Sequence, residues 1–302
     1  MKLTGDRILG VLAVVAAASI WGTLGLFAKI LYAQGVSFEA LVAVRASVGW
    51  VAIMAFVLAT GKAKSLSVSG RDLAFLAPLG LVGIGFFYLL YFFTVGQSTV
   101  GTAAILLYCS PAFVVVLARL FLNEALNAAK VLALFLTAGG VFLVAGAYDP
   151  SNLEVTPTVL LTGLLSGLTY GLYSIFGRPL TGHLSPSIIL SYALFFGSLL
   201  LVAAALPTLD TLAGLPAGSY ALLFMLAVVH TTLGFALYTF GLARLGAGRA
   251  AIVATVEPVV AGALGTALLA EALTAPKVAG ALLVISGAAL AQARRSAFQQ
   301  AS

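Results

Sequence analysis

Glu257 directly precedes Pro258 in an apolar run that opens near Arg249, and no other carboxylate lies so deep in an apolar stretch. At a rise of 1.5 Å per residue it stands about 12 Å along a helix from that arginine. An ionised carboxylate facing lipid at such depth is costly, so Glu257 must face the interior of a bundle, neutral, paired with a cation or hydrated. There it suits a substrate ammonium or a proton; the competing reading is a protonated side chain hydrogen-bonded within the bundle. His230, followed by Thr231 and Thr232, lies near the centre of another apolar run, where it either exchanges protons near neutral pH or serves as a neutral core histidine. Arg45 falls in the outer third of its run, which suits a stem that snorkels to the interface as well as a cavity-lining role.

The aromatic residues Trp21, Tyr88, Tyr91, Tyr170 and Tyr238 all lie inside apolar runs. Each offers an apolar face with a polar tip, the right material for a pocket that takes a ring-bearing solute. Core packing or an interfacial belt is the plainer alternative, and it suits Tyr32, Tyr148 and Tyr220 near the run ends. Pro111 and Pro258 fall mid-run, where each would push against the carbonyl of Leu107 or Ala254 and kink the helix. They are candidate hinges, with a static bend as the alternative.

Other chemistries lack their residues. The chain has one cysteine, Cys109, and two histidines, so neither a disulfide framework nor a cysteine-based metal site is available. No HExxH, GxSxG or GxxxxGK[ST] pattern occurs, which argues against an intramembrane enzyme and against ATP drive by this chain. Nothing in the sequence calls for a cofactor or a metal.

These residues must be positioned by helices in lipid. Of the 302 residues, 62% are hydrophobic and 8% are charged, against roughly a quarter charged in a soluble domain. Long continuous apolar runs indicate helices rather than a barrel. Runs of spanning length can be drawn at roughly 8–33, 39–60, 73–95, 99–122, 129–147, 157–178, 186–206, 218–242, 247–270 and 276–293. The expected fold is therefore an all-α integral membrane protein of ten transmembrane helices. The first run is too long for the apolar core of a cleaved signal peptide, so it belongs to the fold.

Residues 99–147 align without a gap on 246–294: Pro111 with Pro258, Glu124 with Glu271, and Lys130 with Lys277, each pair 147 residues apart. Near the start of each half, Trp21-Gly22 matches Tyr170-Gly171 at a spacing of 149. The chain is a tandem duplication, with halves at 1–148 and 149–302. Five helices per half is an odd number, so the second copy enters the membrane inverted, as in many secondary transporters. Lys62, Lys64, Arg71, Arg119, Lys130, Arg178, Arg244 and Arg249 gather on the side of the N-terminus, while Lys29 and Lys277 lie opposite. The formal charge of +6 thus orients the chain rather than binding nucleic acid, with both termini cytoplasmic. Glu124 and Glu271 precede Asn127 and Thr274, candidate N-caps of the fifth and tenth helices, and belong to hairpin structure first. Gly163, Gly167 and Gly171 form overlapping GxxxG steps, suited to packing inside a monomer and, second, to a dimer.

The sequence resembles the drug/metabolite transporter superfamily, in its EamA-type branch of ten helices in two halves. The likeness is carried by Trp21-Gly22, Arg45, Pro111, Asn123-Glu124-Ala125-Leu126, Gly139-Gly140, Glu257-Pro258, Glu271-Ala272-Leu273-Thr274, Lys277 and Gly287. It departs in the seventh helix, where Ser191 or Tyr192 takes the place of Arg45, so any role of that arginine is not duplicated. Within the branch the many aromatic residues make the chain similar to bacterial aromatic amino acid exporters. The resemblance implies a secondary transporter in the bacterial inner membrane that exports aromatic and hydrophobic amino acids by alternating access. Its substrate site would be Trp21, Tyr88, Tyr91, Tyr170, His230, Tyr238 and Glu257. A drug or nucleotide-sugar substrate is the alternative within transport.

Overall fold

The computed structural model describes residues 5–98, 100–144, 146–152, 155–261, 263 and 274–291. Among these residues the protein is all helix, without a strand. Seven helical segments are long and apolar enough to cross a membrane: Gly5–Ala33, Phe38–Ala59, Gly70–Gln97, Thr102–Phe121, Pro157–Leu180, Pro186–Leu212 and Ala217–Leu245. Two further apolar helices, Ala128–Val144 and Ala275–Ala291, are 17 residues each. Phe121, Phe135, Leu161 and Phe224 are among the large apolar side chains left exposed, as lipid rather than water requires.

Several runs that read as single helices are broken. The first divides into α1 (Gly5–Trp21) and α2 (Leu24–Ala33) around Gly22 and Thr23. After α3 (Phe38–Ala59) and α4 (Gly70–Gln97), the fourth run divides into α5 (Val100–Leu107) and α6 (Ser110–Phe121). Beyond α7 (Ala128–Val144), α8 (Pro157–Leu180), α9 (Pro186–Ala205) and α10 (Ala217–Leu245), the same division recurs between α11 (Ala247–Ala254) and α12, residues 257–261. The last described helix is α13 (Ala275–Ala291). The turn at Tyr108-Cys109 and the turn at Thr255-Val256 stand 147 residues apart, the offset of the duplication.

This corrects the expectation of a kink at each proline. Pro111 and Pro258 occupy the second position of a new helix instead of the interior of a bent one. In a first turn the missing N–H costs nothing, because that donor has no intrahelical acceptor anyway. A second repeated device lies in α4 and α10, which are π-helical over Leu81–Phe86 and Leu226–Leu233. In α10 the widened turn is met by hydroxyls: Thr231 Oγ1 and Thr232 Oγ1 donate to the carbonyls of Leu226 and Ala227 at 3.0 and 3.1 Å.

The halves pack through crossed partners. α1 lies against α10 and α8 against α4, while α3 meets α9 and α7 meets α13. Each contact therefore maps onto another, or onto itself, when the halves are exchanged. Glycine permits the closest crossings. A Cβ at Gly140 of α7 would stand 2.6 Å from the Gly280 carbonyl oxygen on α13. One at Gly167 would stand 3.0 Å from the carbonyl oxygens of Leu106 and Leu107, which places this GxxxG glycine at a crossing with α5 inside the protein. Asn127 Oδ1 accepts from Lys130 N at 2.9 Å and Thr274 Oγ1 from Lys277 N at 3.5 Å, so both predicted caps face the right amides. Glu271 lies outside the described residues. In the connector before α8, Ser151 donates twice to Asp149 Oδ1, holding that carboxyl below the usual range and ionised.

Candidate functional site

The central site is built where the broken helices meet the π-helical ones. α1 ends at Trp21, whose indole Nε1 donates to the His230 carbonyl oxygen at 2.8 Å, tying the break in α1 to the π-helical stretch of α10. A Cβ on Gly234 would meet that nitrogen at 2.5 Å, so only glycine leaves room for the ring. The indole packs against Phe235, Tyr238 and Tyr170, with ring centres at 5.1, 5.6 and 6.1 Å. Phe87 extends the cluster to Tyr170 at 5.0 Å and Tyr91 at 5.8 Å.

These rings enclose a cavity of about 30 Å³, lined by Trp21, Leu24, Arg45, Phe87, Tyr88, Tyr91, Phe92, Leu107, Tyr170, Phe235 and Glu257. Of the residues singled out in the sequence, Trp21, Tyr88, Tyr91, Tyr170 and Glu257 share this wall. Tyr238 and His230 stand one layer behind it. The Tyr238 hydroxyl hydrogen-bonds Ser174 Oγ at 2.8 Å, and His230 Nε2 hydrogen-bonds Thr23 Oγ1 at 2.7 Å. His230 thereby braces the helix break at Thr23, and Tyr238 ties α10 to α8. Pro111 and Pro258 begin the second halves of the broken helices, and the helix turn begun by Pro258 presents Glu257 to the cavity.

Glu257 and Arg45 bring a carboxyl and a guanidinium to a mostly apolar space. The Glu257 carboxyl lies beside the Tyr108 hydroxyl, which comes from the turn that divides α5 and α6. Arg45 is 1% exposed, so the interfacial snorkel is replaced by full burial. Its Nε donates to Thr231 Oγ1 at 3.2 Å and its Nη2 to the Tyr88 hydroxyl oxygen at 3.3 Å. The guanidinium carbon lies 4.6 Å from the Tyr88 ring centre and 5.0 Å from that of Phe92. Such cation–π contacts give a desolvated guanidinium partial compensation. Depth along a run could not identify this residue as site material, because its partners are 43 and 186 residues away.

A second, larger opening of about 490 Å³ lies where the basic residues gather, lined by Arg7, Glu124, Asn127, Lys130, Arg178, Gly246 and Arg249 among others. Glu124 is its anchor. Its Oε1 accepts from Ala247 N at 2.7 Å, its Oε2 accepts from Gly248 N at 3.3 Å, and the same Oε2 pairs with Lys130 Nζ at 3.1 Å. The carboxylate thus caps α11, an element from the other half of the chain.

The model of the EamA-like transporter family matches the chain twice, over residues 8–146 and 157–292. Among relatives, the uncharacterised inner membrane transporter YicL of Salmonella typhimurium is 26% identical over 93% of this chain and 94% of its own. An uncharacterised transporter of Archaeoglobus fulgidus is 29% identical over 93% and 96%. The probable terminal-alkyne amino-acid exporter of Streptantibioticus cattleyicolor is 24% identical over 81% of each chain. A protein solved as a crystal structure shares the fold, with a TM-score of 0.77 and 18% identity, covering 94% of this chain and 96% of that one.

Proposed function

The chain belongs to the EamA-like transporter family, and from that premise we propose that it exports aromatic and other hydrophobic amino acids across the bacterial inner membrane by alternating access. The observation that carries the substrate class is the cavity wall, in which Trp21, Phe87, Tyr91, Tyr170 and Phe235 offer ring faces while Glu257 supplies a carboxyl for an ammonium group. The terminal-alkyne amino-acid exporter among the relatives supports the same class. A nucleotide sugar fits less well, since a mostly apolar wall has few partners for its many hydroxyls, and a cationic drug is the alternative within transport.

In this reading the ten spanning segments form two inverted halves, 1–148 and 149–302, with both termini cytoplasmic. The two separate family matches, the equivalent helix breaks and the crossed packing of the halves support it. A space of 30 Å³ admits about one water and is far below the several hundred Å³ of a small-molecule pocket. Binding therefore requires the wall to open, and the breaks at Tyr108-Cys109 and Thr255-Val256 are where helix halves can swing without bending a continuous backbone ladder.

The test is transport in proteoliposomes. Labelled phenylalanine or tryptophan should cross or exchange, and aspartate and a nucleotide sugar should not. Trp21→Ala and Glu257→Gln should each lower the rate tenfold or more while leaving the protein monodisperse. Transport of aspartate or a nucleotide sugar without the aromatic amino acids would overturn the substrate assignment.

A further inference from the structure

Arg45 is a buried cation whose needs are only partly met. Nε and Nη2 have hydroxyl partners, and the faces of Tyr88 and Phe92 stack on the group, but Nη1 is buried without a hydrogen-bond partner. Among the described residues the ion pairs are Lys130–Glu124 and His183–Asp72, so no carboxylate lies within pairing distance of this guanidinium. Glu257 shares the cavity with Arg45, yet the two form no ion pair. A buried charge without a counter-charge is unfavourable, and its presence at a cavity wall calls for an anion that arrives from outside.

The hydroxyl partners also fix where that anion would dock. Thr231 Oγ1 spends its proton on the Leu226 carbonyl and so faces Arg45 as an acceptor. The Tyr88 hydroxyl accepts from Nη2 and lies 3.5 Å from Thr231 Oγ1, its own acceptor. Both hydroxyls therefore pin one edge of the planar guanidinium, and the fork that includes Nη1 stays available. That fork matches a carboxylate in geometry and charge.

We propose that Arg45 is the receptor for the carboxylate of the transported solute, so that an amino acid lies across the cavity with its carboxylate at α3 and its ammonium at Glu257. This rests on the assignment of the central cavity as the solute site. A solute without a carboxylate leaves the guanidinium uncompensated and is selected against even when its ring fits. The residue thereby sets specificity for zwitterions over aromatic amines of the same shape.

The experiment compares purified wild type, Arg45→Gln and Arg45→Lys for binding of L-phenylalanine, L-phenylalaninamide and 3-phenylpropionate. Wild type should favour phenylalanine over the amide by at least tenfold. Arg45→Gln should bind the two alike while keeping its preference for phenylalanine over 3-phenylpropionate, the preference that Glu257 supplies. Arg45→Lys should weaken phenylalanine by about tenfold and leave the amide unchanged, a comparison that holds even if the glutamine variant does not fold. Equal binding of acid and amide by wild type, or a preference that survives in Arg45→Gln, overturns the proposal. A second measurement needs no amino acid: thermal stabilisation by phenylacetate relative to 2-phenylethanol should be present in wild type and absent in Arg45→Gln and Arg45→Lys, which lack the fork. If phenylalanine binds nowhere but this carboxylate stabilisation depends on Arg45, the amino acid reading fails and the carboxylate receptor stands. If phenylacetate and the alcohol act alike, the receptor falls.

Discussion

Replacing Glu124 with alanine removes every side-chain acceptor given to the start of α11. The bond to Ala247 N, at 2.7 Å, is a good charge-assisted hydrogen bond, the one to Gly248 N at 3.3 Å is weaker, and Lys130 loses its partner at 3.1 Å. A hydrogen bond to a charged group contributes about 1.5–3 kcal/mol, and a negative charge at a helix N-terminus adds about 0.3–1 kcal/mol. Glu124 and Lys130 side chains are 18% and 10% exposed, so solvent screens little of this. A total near 3 kcal/mol for local opening follows, which corresponds to roughly a hundredfold change in the opening equilibrium. Hydrogen–deuterium exchange reads it directly: a peptide spanning Gly246 to Ile252 should exchange about a hundredfold faster at its first amides in Glu124→Ala. A peptide from α3 should be unaltered. Glu124→Gln keeps a carbonyl oxygen for Ala247 N and should lose less. Unchanged exchange at Ala247 and Gly248 in the alanine variant would refute the capping role and with it the coupling of the loop before α7 to α11.

Gly140→Ala should destabilise the α7–α13 crossing by about 1–3 kcal/mol, because the new Cβ meets backbone atoms of Gly280 and Val284 at 2.6 and 2.8 Å; Gly139→Ala, with nothing within 4 Å, is the control, and thermal unfolding in detergent separates them. Single cysteines at positions 149 and 210 in a Cys109→Ala background should react with an impermeant thiol reagent on intact cells, and one at position 64 should not; the opposite pattern reverses the proposed orientation.

Much of this architecture was legible because lipid imposes simple rules. Apolar length marked the helices, and a constant offset of 147 residues located equivalent positions before any coordinate was known. What periodicity could not supply was the state of the backbone at those positions. Pro111 and Pro258 read as kinks because sequence shows where an N–H is missing but not whether an acceptor awaited it; the structure starts a new helix just before each proline. The π-helical stretches were equally hidden, since one extra residue in a turn leaves no mark on an apolar run. Arg45 and Glu124 were undervalued for a different reason. Their environments are made by Thr231 and by Ala247, on segments 186 and 123 residues away, and spacing along one helix carries no information about such partners. His230 and Tyr238 illustrate the reverse. Their depth suggested the cavity wall, while their hydrogen bonds to Thr23 and Ser174 hold them behind it.

The duplication also separates backbone features that repeat from cavity groups that do not. The breaks at Tyr108-Cys109 and Thr255-Val256 and the two prolines recur at the offset of 147, and the π-helical stretches Leu81–Phe86 and Leu226–Leu233 end at that offset, whereas the break at Gly22-Thr23 is answered by the unbroken α8. Ring-bearing positions recur too, Tyr88 with Phe235 and Tyr91 with Tyr238. Glu124 and Lys130 likewise recur as Glu271 and Lys277, but Arg45, Glu257 and His230 do not. At the same offset Arg45 falls on Tyr192, Glu257 on Ser110, and His230 on Gly83. Each departure has a physical reason. A charge in lipid-embedded protein is costly wherever it stands, so duplicating Arg45 or Glu257 would double that cost, and a symmetric pair of poles would hold a zwitterion equally well in two opposite directions. Under the proposed carboxylate receptor, one guanidinium and one carboxyl on different helices would give a zwitterionic solute a single orientation in the cavity. Apolar ring faces can be repeated freely because they carry no direction. In the proposed alternating-access reading, equivalence of the halves would keep the two access states close in energy, while the unrepeated charges would select the solute.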